Sequence, residues 1–345
     1  MKKTIIALSV LTTLSMSAFA ANDMELSAIK SATAPVLDGK VDSVWKSAPV
    51  TKIVVDEMPY KPANGYTGMK SVEVSLSALY DDKNVYILMQ YKDPTLSLNR
   101  FPWTKQADGT WKFTHNRDQV GQENTYYEDK VSIAWNINSK AFAKKGCDAS
   151  CHLNEKGMVD GVTEVSAGRH YTNPGETVDL WHWKGQRTGL ANFTDDGYID
   201  STRGSGSWGR KVDAGKGGYY DNKNAENTMP AWMSDSTVKH FSSAVRDENK
   251  VPFDNSKFKT GDTVLSVVSK AVEGSRGDVP TFAIWKDGVW TLEFKRALVT
   301  SAEKDAEQDV QFSDLSKPYL FGVTVFDNSQ IAHLFHKKPA TLRFK

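Results

Sequence analysis

The residues with the most distinctive chemistry lie in one short segment, residues 144–152. Cys147 and Cys151 are the only two cysteines of the 345-residue chain, and His152 follows the second one directly. The common haem c attachment signal is C-x-x-C-H, in which both thiols form thioethers with the porphyrin and the histidine ligates the iron. This segment has that pattern with one extra residue. It predicts one covalent haem c with His152 as an axial ligand, and a small disulfide loop is the alternative.

The residues leave the second axial ligand of such an iron open. Histidine or methionine usually takes that position, and a vacant position is typical of haem proteins that bind a further ligand. His182 lies between two tryptophans that could border a macrocycle, whereas His333 and His336 follow the end of a predicted strand. The full set of candidates outside predicted strands, with His182 added, is His115, His170, His182, His240, His333, His336, Met158, Met229 and Met233.

Residues 1–20 have the pattern of a secretory signal peptide. Lys2 and Lys3 give a positive start, residues 4–16 are mostly apolar, and Ala18 and Ala20 form a small-x-small cleavage site. The apolar run is too short to span a membrane, and no later segment is long and apolar enough. We therefore expect an exported protein without a membrane span, located in the periplasm.

Charge and composition narrow the class of protein. Lys and Arg number 43 and Asp and Glu number 42, so the formal net charge is only +1. This balance argues against nucleic acid as a partner. With 39% hydrophobic residues and ten tryptophans, the chain can bury a sizeable core. We expect residues 21–345 to form a single domain.

Alternating apolar residues and turn signals predict a mainly β protein. Helix-period segments are short, and residues 301–310 are the best of them. Residues 195–260 are rich in Gly, Asn, Asp and Ser, which predicts a long irregular insertion. The fold predicted is an antiparallel β-sandwich with long loops and few short helices. The predicted strands cover residues 72–76, 85–91, 129–138, 178–184, 263–269, 281–285, 289–294, 319–326 and 341–344.

Four segments together resemble the ethylbenzene dehydrogenase-related haem-binding domain, the family of the haem-carrying gamma subunits. They are an Asp-Gly turn followed by a tryptophan, an aromatic strand that ends in Lys and Arg, a strand that begins with tryptophan, and the final loop: residues 38–45, 181–187, 290–296 and 327–336. The resemblance implies a sandwich like that of family 9 carbohydrate-binding modules, with one haem held between loops. In the gamma subunits the haem is type b, with Met and Lys as axial ligands.

The resemblance also implies where the cofactor would be bound. The first ligand loop corresponds to residues 146–152 and the second to the last loop, so the implied axial ligands are His152 and His336. His333, His182, Lys337 and a methionine remain alternatives for the second position. Cys147 and Cys151 would attach the haem. The residues implied to line the pocket are Trp181, His182, Trp183, Lys184 and Arg187.

These expectations together predict a periplasmic monohaem cytochrome c that transfers single electrons, as a free carrier or as a subunit of a respiratory complex. Its expected partners are redox proteins, such as a molybdenum oxidoreductase or a membrane quinol-linked cytochrome. A protein in this role passes electrons between partners and is expected to be non-catalytic, or an electron-transfer subunit of an oxidoreductase. Two alternatives belong to other classes: a β-sandwich module that binds a carbohydrate or small ligand without haem, and a haem sensor with an open iron site.

Overall fold

A computed structural model describes residues 24–150, 170–202, 209–235 and 244–345, and β-strands dominate all four ranges. The two α-helices have four residues each: α1 (Phe142–Lys145) and α2 (Asp305–Gln308). The first strands are β1 (Glu25–Lys30), β2 (Thr51–Val55), β3 (Val72–Tyr80), β4 (Asn84–Lys92), β5 (Trp103–Lys105), β6 (Trp111–Phe113), β7 (Lys130–Asn136), β8 (Val178–Lys184), β9 (Phe193–Thr194) and β10 (Gly197–Ile199).

The remaining strands complete the fold after residue 209. They are β11 (Arg210–Val212), β12 (Lys216–Asp221), β13 (Trp232–Ser234), β14 (Lys250–Pro252), β15 (Thr263–Val264), β16 (Val267–Glu273), β17 (Val279–Lys286), β18 (Val289–Ala297), β19 (Tyr319–Phe326), β20 (Leu334–Phe335) and β21 (Ala340–Phe344). Among the described residues, no helix is long or apolar enough to cross a membrane.

One large sheet organises the chain. Its fourteen strands include a path in the order β11-β10-β8-β7-β19-β21-β1-β3-β4-β18-β17-β9, with β2 paired to β3 and β20 paired to β19. β1 runs parallel to both of its neighbours, and the neighbouring pairs β7–β8 and β7–β19 are antiparallel. The sheet curls, so that its two halves pack face to face as a sandwich.

The core lies between these halves. Trp183 of β8 contacts Trp290 of β18 edge to face, with ring centroids 4.9 Å apart. Trp135 of β7 packs on Trp181 and on Phe321 with tilted rings, whose centroids lie 5.2 and 5.0 Å away. All five side chains are at least 99% buried. Aromatic contacts of this kind add to the free energy already gained by burying apolar area.

The mainly β sandwich that the sequence predicts is confirmed, with local differences. The strands predicted at residues 178–184 and 319–326 match β8 and β19 at both ends. The helix predicted over residues 301–310 is reduced to α2. The segment predicted to be irregular, residues 195–260, contains the five short strands β10 to β14, so it has more regular structure than predicted. The division into a signal peptide and one domain stays a prediction, since residues 1–23 lie outside the described ranges.

A buried glutamate joins the first loop to the sheet, where an Asp-Gly turn and a buried Trp45 were predicted. Glu293 of β18 is fully buried, and its Oε1 accepts a hydrogen bond from Trp45 Nε1 at 3.1 Å. Its Oε2 accepts from the backbone N–H groups of Asp38 and Gly39 at 3.1 and 2.9 Å. Gly39 has φ +76°, a conformation that favours glycine. One carboxylate therefore fixes the turn and the tryptophan together.

Replacing Glu293 by alanine should lower the free energy of unfolding by about 3 kcal/mol, because three N–H donors would lose their acceptor. Urea denaturation followed by tryptophan fluorescence measures this. Glu293→Gln retains one acceptor oxygen and should lose less. Equal denaturation midpoints for Glu293→Ala and the wild type would show that the three hydrogen bonds do not hold the turn.

Candidate functional site

A cavity of about 180 Å³ lies on the face of β8, β7 and β19 that points away from the core. In a strand, successive side chains point to opposite faces, so each of these strands supplies alternate residues to the core and to the cavity. In β7, Val131, Ile133 and Trp135 enter the core, whereas Lys130 and Ser132 face the cavity. The cavity is therefore built on the same strands that carry the core.

Small side chains make the floor of the cavity flat. Ser132 and Ala134 of β7 lie directly opposite Thr324 and Gly322 of β19. The hydroxyl groups of Ser132 and Thr324 are hydrogen-bonded to each other. A Cβ atom added to Gly322 would lie 3.3 Å from Cys147 Sγ, closer than most side-chain contacts. The floor is thus closed towards the Cys147 loop and leaves room above Ser132 and Thr324.

Larger and charged side chains border this floor. They come from β8, from the loops that follow β8 and β19, from β11 and from the loop before β7. The cavity-lining residues beyond the floor are Tyr127, Lys130, Cys147, His170, Leu180, His182, Arg187, Arg210, Phe326, Gln330, Ile331 and His333. Three of them are cations, and none is a carboxylate.

Lys130 is the most deeply buried of the cations, with 2% of its surface exposed. Its Nζ donates to the carbonyl oxygen of Gln330 at 2.7 Å and lies 3.9 Å from the ring centroid of Phe326. Among the described residues no carboxylate forms an ion pair with it. Burial, and then the nearby charge of Arg187, lower the pKa of this ammonium group well below its usual value.

Arg187 is held at the border of the cavity by Glu128, which is fully buried. The carboxylate accepts hydrogen bonds from Arg187 Nε at 2.5 Å and from the backbone N–H groups of Gln186 and Arg187 at 2.8 and 3.0 Å. Such a charge-assisted pair fixes the guanidinium plane. The remaining face of this guanidinium is directed at the cavity with Lys130 and Arg210.

His182 is a neutral polar group at the floor without a partner. It is 94% buried, and neither ring nitrogen has a hydrogen-bond partner among the described residues. Burial and the charge of Arg210 lower the pKa of its imidazole well below its usual value. A neutral imidazole has one N–H donor and one acceptor nitrogen, and both are available to a molecule in the cavity.

The predicted pocket segment divides between the two faces of β8. Of its members, His182 and Arg187 line the cavity. Trp181 and Trp183 pack in the core instead, because they alternate with His182 along the strand. Lys184 is buried in an ion pair with Asp195 and is not a cavity-lining residue. The expectation that both tryptophans line the pocket is therefore corrected.

The predicted second axial ligand lies away from the cavity. His336 Nε2 accepts a hydrogen bond from Val323 N at 2.9 Å, so its Nδ1 carries the proton and donates to Lys338 O at 2.5 Å. Lys337 is exposed and pairs with Glu57 at 2.6 Å. Neither residue offers an open ligand atom as placed, so the haem site that the resemblance implies does not fit these side chains. His333, the reserve candidate, does line the cavity.

The cysteine motif is described only in its first part. Cys147 is buried in a 3₁₀ helix, Gly146–Ala149, and lines the cavity. This loop packs against the last loop, since a Cβ on Gly146 would lie 3.3 Å from Lys337 O. The two loops named by the resemblance are thus neighbours. Cys151 and His152 lie outside the described residues, so their predicted roles stay predictions.

Lys130 and Arg210 are cavity residues that the sequence reasoning missed, whereas His170 was one of the histidines left open as a second axial ligand. For Lys130 a signal was present: it alternates with the apolar residues of its strand and therefore belongs to the opposite face. Arg210 and His170 come from segments far apart in the sequence, and only the pairing of β11 and β10 beside β8 brings Arg210 to the cavity.

Comparisons with known proteins found one curated relative and several solved structures. Part of the chain is 29% identical over 173 residues to endo-1,4-beta-xylanase A of Thermotoga neapolitana, covering 47% of this chain and 15% of that enzyme. A family 9 carbohydrate-binding module of Caldicellulosiruptor kristjanssonii, solved with cellotriose, has 11% identity, a TM-score of 0.33 and 93% coverage of both chains. Its complex with glucose has 10% identity, a TM-score of 0.32 and coverage of 92% and 95%.

These findings correct one expectation. The cysteine motif led us to predict a haem-bearing cytochrome c for electron transport, but the curated relative found is a xylanase. We therefore do not retain the cytochrome c classification.

The family comparison covers most of the chain. The family model described as ethylbenzene dehydrogenase matches residues 42–338, which include the floor of the cavity, its three cations and all the strands from β2 to β20. The resemblance found in the sequence is confirmed at this level. The protein belongs to the ethylbenzene dehydrogenase family.

Proposed function

We propose that the protein is a ligand-binding β-sandwich module whose cavity over β8, β7 and β19 binds one small ligand with a ring-shaped body and a carboxylate group. Lys130 is the observation that carries this proposal. Its ammonium group is buried, donates to one carbonyl oxygen and has no carboxylate partner among the described residues. Burying a cation without a counter-charge is costly, and a ligand carboxylate would supply that charge.

The other polar groups of the cavity favour the same chemistry. Arg187 and Arg210 carry planar guanidinium groups, which suit the two oxygens of a carboxylate. His182 offers one donor and one acceptor, which suit a hydroxyl group. The flat floor accepts a ring between Leu180 and Phe326. Charge, hydroxyl recognition and shape together favour an acidic saccharide.

The xylanase similarity supports a saccharide as the ligand class, although this chain spans only 15% of that enzyme. A neutral oligosaccharide alone would leave Lys130 without a counter-charge. We therefore expect a sugar with a uronic acid group. Because residues 1–20 have the pattern of a signal peptide, we propose that this binding takes place in the periplasm.

A porphyrin shares the relevant chemistry, because it is flat and carries two carboxylates. The test below therefore includes it. Covalent haem c stays an untested prediction, since Cys151 and His152 lie outside the described residues. The predicted redox partners and the gamma-subunit role would apply only if the porphyrin proves to be the ligand.

Isothermal titration calorimetry of the purified protein tests the proposal with three probes: xylotriose substituted with glucuronic acid, unsubstituted xylotriose, and haemin. We expect the acidic saccharide to bind at least about 10-fold more tightly than the neutral one. Lys130→Met should weaken its binding roughly 10- to 100-fold, because a charged hydrogen bond is lost. The matched control is Lys211→Met, since Lys211 pairs with Asp200 outside the cavity and should bind like the wild type.

Proton uptake gives a second readout. A ligand carboxylate beside Lys130 would raise the pKa that burial lowers, so the complex should take up protons and bind more weakly as the pH rises. Titrations in two buffers with different ionisation enthalpies measure this uptake. Equal affinity for both saccharides and no effect of Lys130→Met would overturn the proposal. Tight binding of haemin alone, with a pyridine haemochrome spectrum, would assign the cavity to a porphyrin.

A further inference from the structure

A second polar site lies away from the cavity, around Arg296 of β18. The carboxylate oxygens of Asp196, Asp278 and Asp309 approach within 4.8 Å of one another. Arg296 Nη2 lies 2.9 Å from Asp309 Oδ2, and its Nε lies 3.8 Å from Asp278 Oδ2. None of these four residues lines the cavity.

Two further aspartates face this trio. The Asp213 backbone N–H donates to Asp196 O at 3.1 Å, and its carboxyl group contacts that of Asp309. Asp179 accepts from Val310 N at 2.8 Å through Oδ2. Five carboxyl groups thus surround a single guanidinium group, and four of them are at least 96% buried.

Many of these oxygens have no donor. Neither oxygen of Asp213 has a hydrogen-bond partner among the described residues, although the residue is only 4% exposed. The same is true of Asp179 Oδ1, Asp196 Oδ2 and Asp309 Oδ1. Asp213 is outside the trio, so its unpartnered carboxyl group is an independent sign that something else is bound here. Buried polar atoms are normally hydrogen-bonded or bound to an ion.

We propose that this aspartate cluster, residues 179, 196, 213, 278 and 309, binds one calcium ion. Two oxygen ligands on opposite sides of Ca²⁺ lie about 4.8 Å apart, because each is about 2.4 Å from the ion. The trio meets that limit. All the ligand atoms are oxygens, which disfavours zinc and copper, and the surplus of protein carboxylates suits calcium better than magnesium, which retains several waters.

The site would connect distant parts of the chain. Asp179 belongs to β8, Asp196 precedes β10, Asp213 follows β11, Asp278 precedes β17 and Asp309 follows α2. An ion held by these segments would join the cavity half of the sheet to the β17–β18 hairpin.

Calcium titration of the EGTA-treated, desalted full chain tests the proposal. We expect calcium at about 100 times its dissociation constant to raise the unfolding temperature by roughly 5 °C. Asp196→Asn and Asp213→Asn should each lower the bound stoichiometry by one ion per chain, or abolish the thermal shift. Asp213→Asn keeps the side-chain shape and removes one repelling charge, so it should remain folded if Asp196→Asn does not.

The matched control is Asp93→Asn in the other buried aspartate group, formed with Asp129 and Asp327. It should leave binding at the proposed site unchanged. Loss of calcium binding in Asp93→Asn, with normal binding in Asp213→Asn, would overturn the assignment. So would a wild-type protein that binds no calcium, since the cluster would then be neutralised by protons. Neither result bears on the saccharide titrations.

Discussion

Replacing Asp195 by alanine is expected to lower the free energy of unfolding by about 3–5 kcal/mol, because one buried and one partly buried cation would lose their counter-charge. Asp195 is 2% exposed. Its Oδ2 pairs with Lys184, and its Oδ1 accepts from Arg276 Nε at 2.6 Å. Chemical denaturation followed by tryptophan fluorescence measures the loss.

Asp200→Ala is the matched control for this prediction. Asp200 pairs with Lys211 at 2.7 Å, but both side chains are about one quarter to one third exposed, so its removal should cost less than about 1 kcal/mol. Similar losses for Asp195→Ala and Asp200→Ala would show that burial does not decide the strength of these pairs.

Acid should have the same effect as the Asp195 substitution. Burial alone would raise the pKa of Asp195, but the charges of Lys184 and Arg276 outweigh it and lower the pKa to about 2. A carboxylate with a lowered pKa stabilises the fold fully above its ordinary pKa, and this contribution is lost as the pH falls through about 2. Asp195→Asn should therefore show a weaker loss of stability between about pH 4 and pH 2 than the wild type.

Replacing Trp183 by alanine is expected to cost about 3–5 kcal/mol, because a large core side chain would leave a cavity between the two halves of the sandwich. Trp183 is 1% exposed and contacts Trp290 across the core. Gly189 packs against its ring so closely that a Cβ there would lie 2.7 Å from Cζ2. The midpoint of urea unfolding reports the loss.

Ligand binding distinguishes a core role of Trp183 from the pocket-lining role that the sequence suggested. Trp183→Phe should lose part of the stability and still bind the acidic saccharide like the wild type, because its ring faces the core. His182→Ala, one residue away, should keep most of the stability and bind the acidic saccharide more weakly than the wild type. Weaker binding in Trp183→Phe, measured below its unfolding transition, would contradict the placement of this ring.

The strands could be predicted because their patterns are local. β8 and β19 have alternating apolar residues and clear ends, and the structure places both where the pattern does. The hydrophobic period of residues 301–310 predicted a longer helix than α2. Asp305 and Asp309 are buried there, and their carboxylates accept hydrogen bonds from the hydroxyl groups of Ser275 and Thr300.

The candidate site was only partly predictable. Cys147 was identified from the cysteine motif, whereas His182 and Arg187 were assigned to the pocket by the family resemblance. The two tryptophans beside His182 were assigned to the wrong face, although alternation along β8 already separated them from it. Strand order was not accessible from a single sequence, because it depends on pairing between distant segments. The aspartate cluster is the clearest case, since its five members come from five separate segments.

The alternation along β7, β8 and β19 has a consequence for how the ligand of such a protein can change. Every second residue of these strands builds the core, and the residues between them form the cavity floor. Substitutions at the floor positions can therefore alter depth, charge and hydrogen bonding without altering the packing that holds the sheet together. Relatives with this sheet can diverge in specificity while keeping one fold. A library confined to Ser132, Ala134, Leu180, His182 and Thr324 is accordingly a compact route to redirecting the module.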